Sequence, residues 1–235
     1  MTPIRAKTAL AAALAAVLVI AATATAATIG IYRNSMQSQG LRGQVVKLVG
    51  ERCGRGGSGK ALRVVVGKRT RECAYRTPVI GRDLEVQAVA RLLSGTPKQL
   101  RHGAYLAVNL RAGRAGAHYQ LAVYPLQRKA QLRKTLSNGR VKYLHVEKNV
   151  RSVKGVNRAN ELRLRAFNVT RGPEKGSCRI AAFVGRRRVA NVVDTAAGDL
   201  EGRASGFGIG RTAGGAKGLV ASFDDVVVRV PNPFE

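Results

Sequence analysis

The acidic residues are the first candidates for catalysis, and there are only 13 of them against 41 basic residues. Asp83 and Glu85 are two positions apart at the start of an apolar-patterned run, so both side chains lie on one face of the predicted strand. Two facing carboxylates are what a glycoside hydrolase needs. The simpler interpretation is that each carboxylate forms an ion pair with Arg82 or Arg91.

Acidic residues near the C-terminus raise the alternative of a calcium site. Asp224 and Asp225 are adjacent in a predicted strand, so their side chains point to opposite faces. One of them would join Asp194, Asp199 or Glu201 as oxygen ligands, which calcium prefers. The competing interpretation is that these carboxylates cap turns or pair with arginines. The sequence predicts no cofactor, with calcium at Asp194, Asp224 and Asp225 as the alternative.

One glycine-rich segment matches the beginning of a phosphate-binding loop. Gly54–Lys60 has the required spacing, but Ala61 stands where a serine or threonine would hold magnesium. The following residues, Ala61–Lys68, are strand-like and provide no helix N-terminus for a phosphate. We therefore interpret Glu51–Lys60 as a glycine-rich loop.

Three consecutive arginines, Arg186, Arg187 and Arg188, are the candidate ligand-binding residues. They follow Gly185 and are predicted to lie in a turn, where guanidinium groups match phosphate or sulfate groups. The formal net charge of the chain is +28, which attracts nucleic acid, anionic lipid or acidic wall polymers. Basic residues interleaved with base-stacking aromatics are lacking, so nucleic acid is not the expected partner. The alternative role of the arginines is a solvated turn.

The cysteines indicate a disulfide and no structural zinc. Cys53 and Cys73 flank the strand-like run and would close a loop by a disulfide. Cys178 would instead pair with either of them or stay reduced, so three pairings remain open. The closely spaced cysteine pairs of a zinc site are lacking.

The N-terminus has the pattern of an export signal. Arg5 and Lys7 precede Thr8–Tyr32, an uncharged run of mostly Ala, Leu, Val and Ile that is long enough to span a bilayer of about 30 Å. A cleaved signal peptide is the alternative, because Ala24–Ala26 is a small-residue cleavage pattern. Both interpretations place residues 34–235 outside the cytoplasm.

A third reading keeps the C-terminal part cytoplasmic, because Arg33, Arg42 and Lys47 follow the apolar run. The domain prediction is an anchor or signal peptide at residues 1–33, a short tether at 34–43 and one β-domain at 44–235.

The remaining chain has the period of β-strands. Apolar residues alternate with polar ones or form short apolar runs bounded by Gly, Asn and Ser. Asn138-Gly139 separates two such runs, which predicts a hairpin with a type I′ turn. The predicted strands are Gln44–Val49, Ala61–Lys68, Asp83–Leu92, Tyr105–Leu110, Tyr119–Tyr124, Gln131–Leu136, Val141–Val146, Glu161–Phe167, Arg179–Val184, Val189–Asp194 and Gly218–Val230.

The order of the C-terminal strands carries a family resemblance. The residues concerned are Asn160–Arg165, Ile180–Gly185 with Val189–Asp194, Gly202–Gly208 and Ser222–Val228. They resemble the concanavalin A-like lectin/glucanase superfamily in its laminin-G-like branch. The resemblance implies an all-β fold, an antiparallel jelly-roll β-sandwich, preceded here by the transmembrane or signal helix.

The resemblance also bounds the function. Members of this superfamily bind glycans, hydrolyse them or mediate contacts, and the fold does not decide between these roles. The acidic Glu-x-Asp-x-x-Glu motif of its hydrolases is lacking, and the chain has no Trp and 5% aromatic residues for stacking sugars.

We therefore expect a non-catalytic binding module of the cell envelope, with a glycan or an anionic wall polymer as the ligand of Arg186, Arg187 and Arg188. It would be held at the membrane through residues 8–32 with its sandwich outside the cytoplasm, or secreted. The alternative function is a glycan-processing hydrolase or lyase on the same fold.

Overall fold

The computed structural model describes residues 29–36, 46–49, 53–58, 61–67, 70–113, 116–197, 200, 202–212 and 214–230. These residues form two antiparallel sheets. The strands are β1 (Ile29–Asn34), β2 (Val46–Val49), β3 (Cys53–Ser58), β4 (Ala61–Val66), β5 (Glu72–Ile80), β6 (Leu84–Leu92), β7 (Ala104–Ala112), β8 (His118–Tyr124), β9 (Lys129–Thr135), β10 (Val141–Glu147), β11 (Asn160–Asn168), β12 (Cys178–Val184), β13 (Arg187–Asp194), β14 (Ala204–Arg211) and β15 (Val220–Val230). A short helix, α1 (Lys98–Arg101), lies between β6 and β7.

Sheet A has the strand order β13-β12-β11-β6-β15-β4-β3, and β1 also pairs with β15. Sheet B has the order β10-β9-β8-β7-β14-β5-β2. Neighbours such as β6 and β15 are far apart in sequence, so the two sheets exchange strands as in a jelly roll.

The core lies between the sheets because apolar side chains recur at every second position of the central strands. Leu106 and Val108 of β7 face Leu162 and Leu164 of β11 in one continuous cluster. The ring of Phe207 lies 4.8 Å from that of Phe223 and 6.2 Å from that of Tyr75, measured between centroids. Burying one such side chain stabilises the fold by roughly 1.5–3 kcal/mol.

The end of the predicted N-terminal apolar segment is a strand. Ile29 pairs with Val230 and Tyr32 with Val228, so residues 29–34 extend sheet A through β15. Isoleucines at positions 29 and 31 favour an extended backbone. Residues 1–28 lie outside the described residues, as do 37–43 of the predicted tether. No helix among the residues that the structure describes is long and apolar enough to cross a membrane.

A disulfide joins Cys53 of β3 to Cys73 of β5, with 5.8 Å between the Cα atoms. Because β3 belongs to sheet A and β5 to sheet B, the bond fastens the two sheets to each other. Cys178 is buried and unbonded. Of the three pairings that the sequence left open, the structure therefore contains Cys53–Cys73.

Two local predictions differ from the structure. Cys53–Ser58, which we expected within a glycine-rich loop, is strand β3, because its backbone pairs along β4 and forms the edge of sheet A. The β9–β10 hairpin has a longer turn than expected. Only Gly139 has positive φ, and the side chain of Asn138 accepts a hydrogen bond from the backbone N–H of Arg140.

Candidate functional site

The outer face of sheet B carries a polar network that does not belong to the core. Its members lie at the strand positions that alternate with core residues, so they point away from sheet A. We call these residues the polar face: Glu72, Tyr105, Asn109, Gln120, Tyr124, Gln131 and Arg133. All except Glu72 are buried, and Glu72 is 17% exposed.

Glu72 is the centre of the polar face. Its carboxylate accepts hydrogen bonds from the Tyr105 hydroxyl at 2.9 Å and from Gln120 Nε2 at 2.6 Å. Gln120 also donates to Asn109 Oδ1 at 2.8 Å, and its own Oε1 accepts from Arg133 Nε at 2.6 Å. The Arg133 guanidinium lies 4.0 Å from the Glu72 carboxylate. Glu72, Gln120 and Arg133 are therefore each held by two or more partners, which fixes their positions before any ligand arrives.

Two tyrosine rings of the polar face are covered by cations. The Arg133 guanidinium lies 4.3 Å from the Tyr105 ring centroid, and Lys129 Nζ lies 4.1 Å from that of Tyr124. The two rings are 5.5 Å apart. Burial and the adjacent Glu72 charge raise the pKa of Tyr105 well above its usual value. The hydroxyl therefore stays protonated and donates to Glu72.

Glycines in β14 make room for the polar face. A Cβ atom at Gly210 would lie 2.4 Å from the Tyr105 hydroxyl, and one at Gly208 would lie 2.4 Å from the carbonyl oxygen of Cys73. Real Cβ atoms do not approach other atoms this closely, so only glycine lets the Tyr105 ring lie across β14.

Replacing Gly210 with alanine is expected to displace Tyr105 and lower the free energy of unfolding by about 1–3 kcal/mol, the usual cost of overpacking. Urea unfolding followed by circular dichroism measures the loss. Gly215→Ala is the matched control, because a Cβ atom there meets nothing within 4 Å. Equal stability of the two variants would show that Tyr105 moves aside without cost.

The edge strand β10 provides the exposed border of the polar face. Tyr143 is 50% exposed and pairs in register with Arg133. Val146 is 42% exposed and pairs with Gln131, on the same face. Inside this border, Asn109 Nδ2 is a buried donor with no hydrogen-bond partner among the described residues. The face thus combines an exposed aromatic ring with fixed amide, hydroxyl and guanidinium groups, the groups that bind sugar hydroxyls.

Three comparisons place the fold. No protein-family model and no curated protein sequence matches this chain. The carbohydrate-binding module CBM66 from Bacillus subtilis is similar in structure with a TM-score of 0.54 and 14% identity, over 79% of this chain and 95% of that module. A Bacillus subtilis protein of unknown function with a galectin-like fold gives 0.59 and 10%, over 86% of this chain and 96% of that one.

The exoplasmic/lumenal domain of VIP36, in its Ca²⁺-bound form, gives a TM-score of 0.52 and 12% identity, over 85% of this chain and 89% of that domain. The fold is a concanavalin A-like jelly roll. The predicted antiparallel jelly-roll sandwich is confirmed as a fold. Identities this low show the fold alone and do not transfer a function.

The outer face of sheet A in this jelly roll carries an open groove of about 710 Å³. Arg229 Nη1 donates to Gln87 Oε1 at 2.7 Å, and Gln87 Nε2 donates to Glu161 Oε1 at 3.0 Å. The residues that line the groove are Tyr32, Arg33, Gln87, Val89, Glu161, Asp225, Val227 and Arg229. The groove is polar and of a size that holds small ligands.

Asp83 and Glu85, the predicted carboxylate pair, serve as separate ion-pair partners. Asp83 lies 3.4 Å from Arg111. Glu85 is buried between Arg165 at 3.0 Å and Arg229 at 3.2 Å. The predicted ion pairs with Arg82 or Arg91 were wrong, because the side chains that touch in a sheet come from neighbouring strands.

The calcium candidates do not share one site. Asp194 ends β13 and Asp224 lies in β15. Three strands of sheet A lie between them, which separates the two strands by roughly 19 Å at the usual strand spacing. Asp194 is bound by Lys134 and Tyr119 instead. No group of three His, Cys, Asp or Glu residues suitable for a metal occurs among the described residues, and Asp199 and Glu201 lie outside them.

Asp224 and Asp225 also depart from a regular strand. Asp225 has φ +44° and is the extra residue of a β-bulge between Asp224 and Val227. The prediction of opposite faces assumed regular alternation, which the bulge interrupts. Asp225 lies 4.0 Å from Arg33, and both side chains are exposed.

The three candidate arginines are exposed, but only Arg186 is in the turn. Gly185 has φ +59° and forms the turn with Arg186, whereas Arg187 and Arg188 begin β13. The prediction that all three lie in the turn was wrong, because the turn is only two residues long. Arg187 reaches Glu147 of β10 at 2.5 Å and so joins the edges of the two sheets.

Sequence reasoning missed the polar face, although it identified the strands that carry it. Glu72 is a single acidic residue beside a cysteine, and Gln120 and Arg133 are ordinary polar residues of alternating strands. The signal that the sequence did contain is the pair Tyr105 and Tyr124. They lie in adjacent strands at the positions that alternate with core residues, so both rings lie on the outer face of sheet B.

Proposed function

We propose that this protein is a non-catalytic glycan-binding module of the cell envelope. The observation that carries the proposal is the exposed ring of Tyr143 beside Arg133, whose guanidinium is fixed by Gln120 and faces Glu72. A sugar stacked on Tyr143 would meet hydrogen-bonding groups that are already in place, so little ordering entropy opposes binding. Structural neighbours whose names include a carbohydrate-binding module and a galectin-like fold support the proposal.

The ligand in this proposal is a glycan or an anionic wall polymer. Arg186 and Arg188 are exposed and form no ion pair with another described residue, so their charges are available to acidic groups of a polymer. The β12–β13 turn lies at the same end of the sandwich as the β8–β9 turn, which follows Tyr124. A polymer chain crossing the polar face would continue towards these arginines.

The proposed location is outside the cytoplasm, with the chain held at the membrane by the apolar run that begins at Thr8, or released after cleavage. The Cys53–Cys73 disulfide supports an oxidising compartment.

Replacing Tyr143 with alanine is expected to weaken glycan binding about tenfold, the effect of losing one aromatic stacking contact. Binding of the full chain in detergent to a panel of neutral and anionic polysaccharides measures this effect. Val146→Ala is the matched control, because Val146 is 42% exposed on the same strand and face but cannot stack on a sugar.

The salt dependence separates the polar face from general electrostatic attraction. Binding that persists at physiological salt and falls with Tyr143→Ala supports the module. Arg186→Glu combined with Arg188→Glu should then weaken only the acidic members of the panel. Binding that disappears with salt for every polysaccharide, or that is the same in the Tyr143 variant, would contradict the proposal.

A second candidate function is glycan hydrolysis, and one observation favours it. Glu161 and Asp225 line the same groove on sheet A. They lie on β11 and β15 with β6 between them, so their backbones are about 10 Å apart at the usual strand spacing. Inverting glycosidases place their carboxyl groups about 6.5–9.5 Å apart. Release of reducing sugars by the chain, abolished in Glu161→Gln, would establish this activity.

A further inference from the structure

We propose that one end of the sandwich docks on the surface of an anionic lipid bilayer. This N-terminal end consists of the start of β1, the end of β15, residues 113, 116 and 117, and the loops 81–83, 136–140 and 169–177. The inference rests on the membrane attachment in the proposed function and concerns a surface distinct from the polar face.

The strand register brings these segments to one end. Ile29 pairs with Val230, and Arg229 pairs with Glu85, so the start of β1 lies next to the start of β6 and the loop 81–83. Ala166 pairs with Leu84, which brings the β11–β12 loop to the same end. In sheet B, His118 pairs with Thr135, so the start of β8 and the β9–β10 loop lie at the same end.

The apolar run reaches the sandwich at this end without a spacer. Residues 8–28 are 21 uncharged residues that continue directly into β1 at Ile29. As a helix, a run of this length would span about 31 Å, enough for the hydrocarbon core. Consecutive Cα atoms are about 3.8 Å apart, so an anchor ending at residue 28 holds the start of β1 at the lipid surface.

The N-terminal end exposes apolar side chains that a folded domain would otherwise hide. Ile80 is 72% exposed, Val141 45% and Val230 43%. Ile80 ends β5 just before the loop 81–83, and Val141 begins β10 just after the loop 136–140. A bilayer interface would bury these side chains, and burying apolar area favours binding.

The same end presents cations that form no ion pair with a described residue. These are Arg82, Arg140, Arg171, Lys175 and Arg203, all exposed. The described carboxylates nearby are occupied: Asp83 pairs with Arg111, and Glu174 pairs with Arg179 at 2.5 Å. Each cation near an anionic surface strengthens binding about fivefold. An acidic glycan would pair with the cations alone. An anionic bilayer would pair with the cations and also bury the exposed Ile80 side chain.

The chain has no tryptophan, so the fluorescence of a single introduced tryptophan reports only on the surroundings of that residue. The Ile80→Trp variant of the full chain is reconstituted into vesicles of phosphatidylcholine with or without phosphatidylglycerol. We expect a blue-shifted emission that brominated lipid quenches at least twice as strongly with phosphatidylglycerol as without it. Leu126→Trp is the matched control, because Leu126 is 45% exposed in the β8–β9 turn at the opposite end and should not be quenched.

Arg82→Glu combined with Arg140→Glu in the Ile80→Trp chain is expected to remove the phosphatidylglycerol-dependent quenching. Polysaccharide binding should stay unchanged in this chain, which separates the docking surface from the polar face. Equal quenching in both lipids, equal quenching of the Ile80 and Leu126 reporters, or failure of the chain to associate with vesicles would each overturn the proposal. Tyr143→Ala should weaken polysaccharide binding without changing the lipid quenching of the Ile80→Trp reporter.

Discussion

Replacing Lys134 with methionine should lower the free energy of unfolding by about 3–5 kcal/mol, because it leaves a carboxylate buried without its counter-ion. Lys134 Nζ lies 3.0 Å from Asp194 Oδ2, and the two side chains are 2% and 5% exposed. The pair joins β9 of sheet B to the end of β13 in sheet A. The Tyr119 hydroxyl donates to the same Asp194 oxygen at 2.6 Å and fixes it in place.

Urea unfolding of the wild type and the variant measures this loss. Lys142→Met is the matched control, because Lys142 is exposed on the adjacent strand β10 and its removal should change stability by less than about 0.5 kcal/mol. The double variant Lys134→Met with Asp194→Leu should recover most of the loss, since no buried charge remains. A Lys134 variant as stable as the Lys142 variant would show that the buried pair contributes nothing.

The pair also makes stability depend on pH. Burial opposes ionisation of Asp194, but the hydrogen bonds from Tyr119 and Lys134 and the Lys134 charge outweigh it and lower its pKa. A lowered folded-state pKa stabilises the fold at pH values above the unfolded value of about 3.9. This contribution is lost as the pH falls through the folded-state pKa. The stability difference between the wild type and Asp194→Asn should therefore be largest near neutral pH and shrink in acid.

Replacing both Cys53 and Cys73 with serine is expected to cost about 3 kcal/mol, because the disulfide closes a loop of 20 residues and restricts the unfolded chain. The consequence extends to the polar face. Glu72 directly precedes Cys73 in β5, so the bond to β3 fixes the strand from which Glu72 points into the network. The double variant should bind polysaccharide more weakly as well as unfold at lower urea concentration.

Reductant provides the control for this prediction. Dithiothreitol should destabilise the wild type to the level of the double variant and leave the double variant unchanged. Burial raises the pKa of the Cys178 thiol to about 11, so this residue stays protonated near neutral pH. A wild type that is insensitive to reductant and equal in stability to the double variant would contradict the expected role of the disulfide.

Much of the fold followed from local patterns in the sequence. Leu84–Leu92 and Asn160–Asn168 alternate because one face of each strand packs on the core, and the alternation is visible without any partner strand. Gly185 and Gly139 marked their turns because glycine accepts positive φ. The strand Cys53–Ser58 had no such signal, since its glycines present no side chains to alternate.

The candidate site did not follow from the sequence, because its residues come from strands that are distant in the chain. Gln120 lies 48 residues after Glu72, and Arg133 lies 13 residues after Gln120. These side chains meet only when β5, β14, β7, β8 and β9 lie side by side. Lys134 and Asp194 are a similar case: their charges are unremarkable in sequence and become a buried pair only between the two sheets.

The sequence by itself determined the class of fold, the positions of most strands and the apolar run at the N-terminus, because these depend on short-range periodicity. The tertiary structure alone decided which strands are neighbours, and therefore which side chains touch. It separated Asp194 from Asp224, placed Arg187 and Arg188 in a strand and assembled the polar face around Glu72. Contacts across a sheet depend on strand order, which no local pattern of residues encodes.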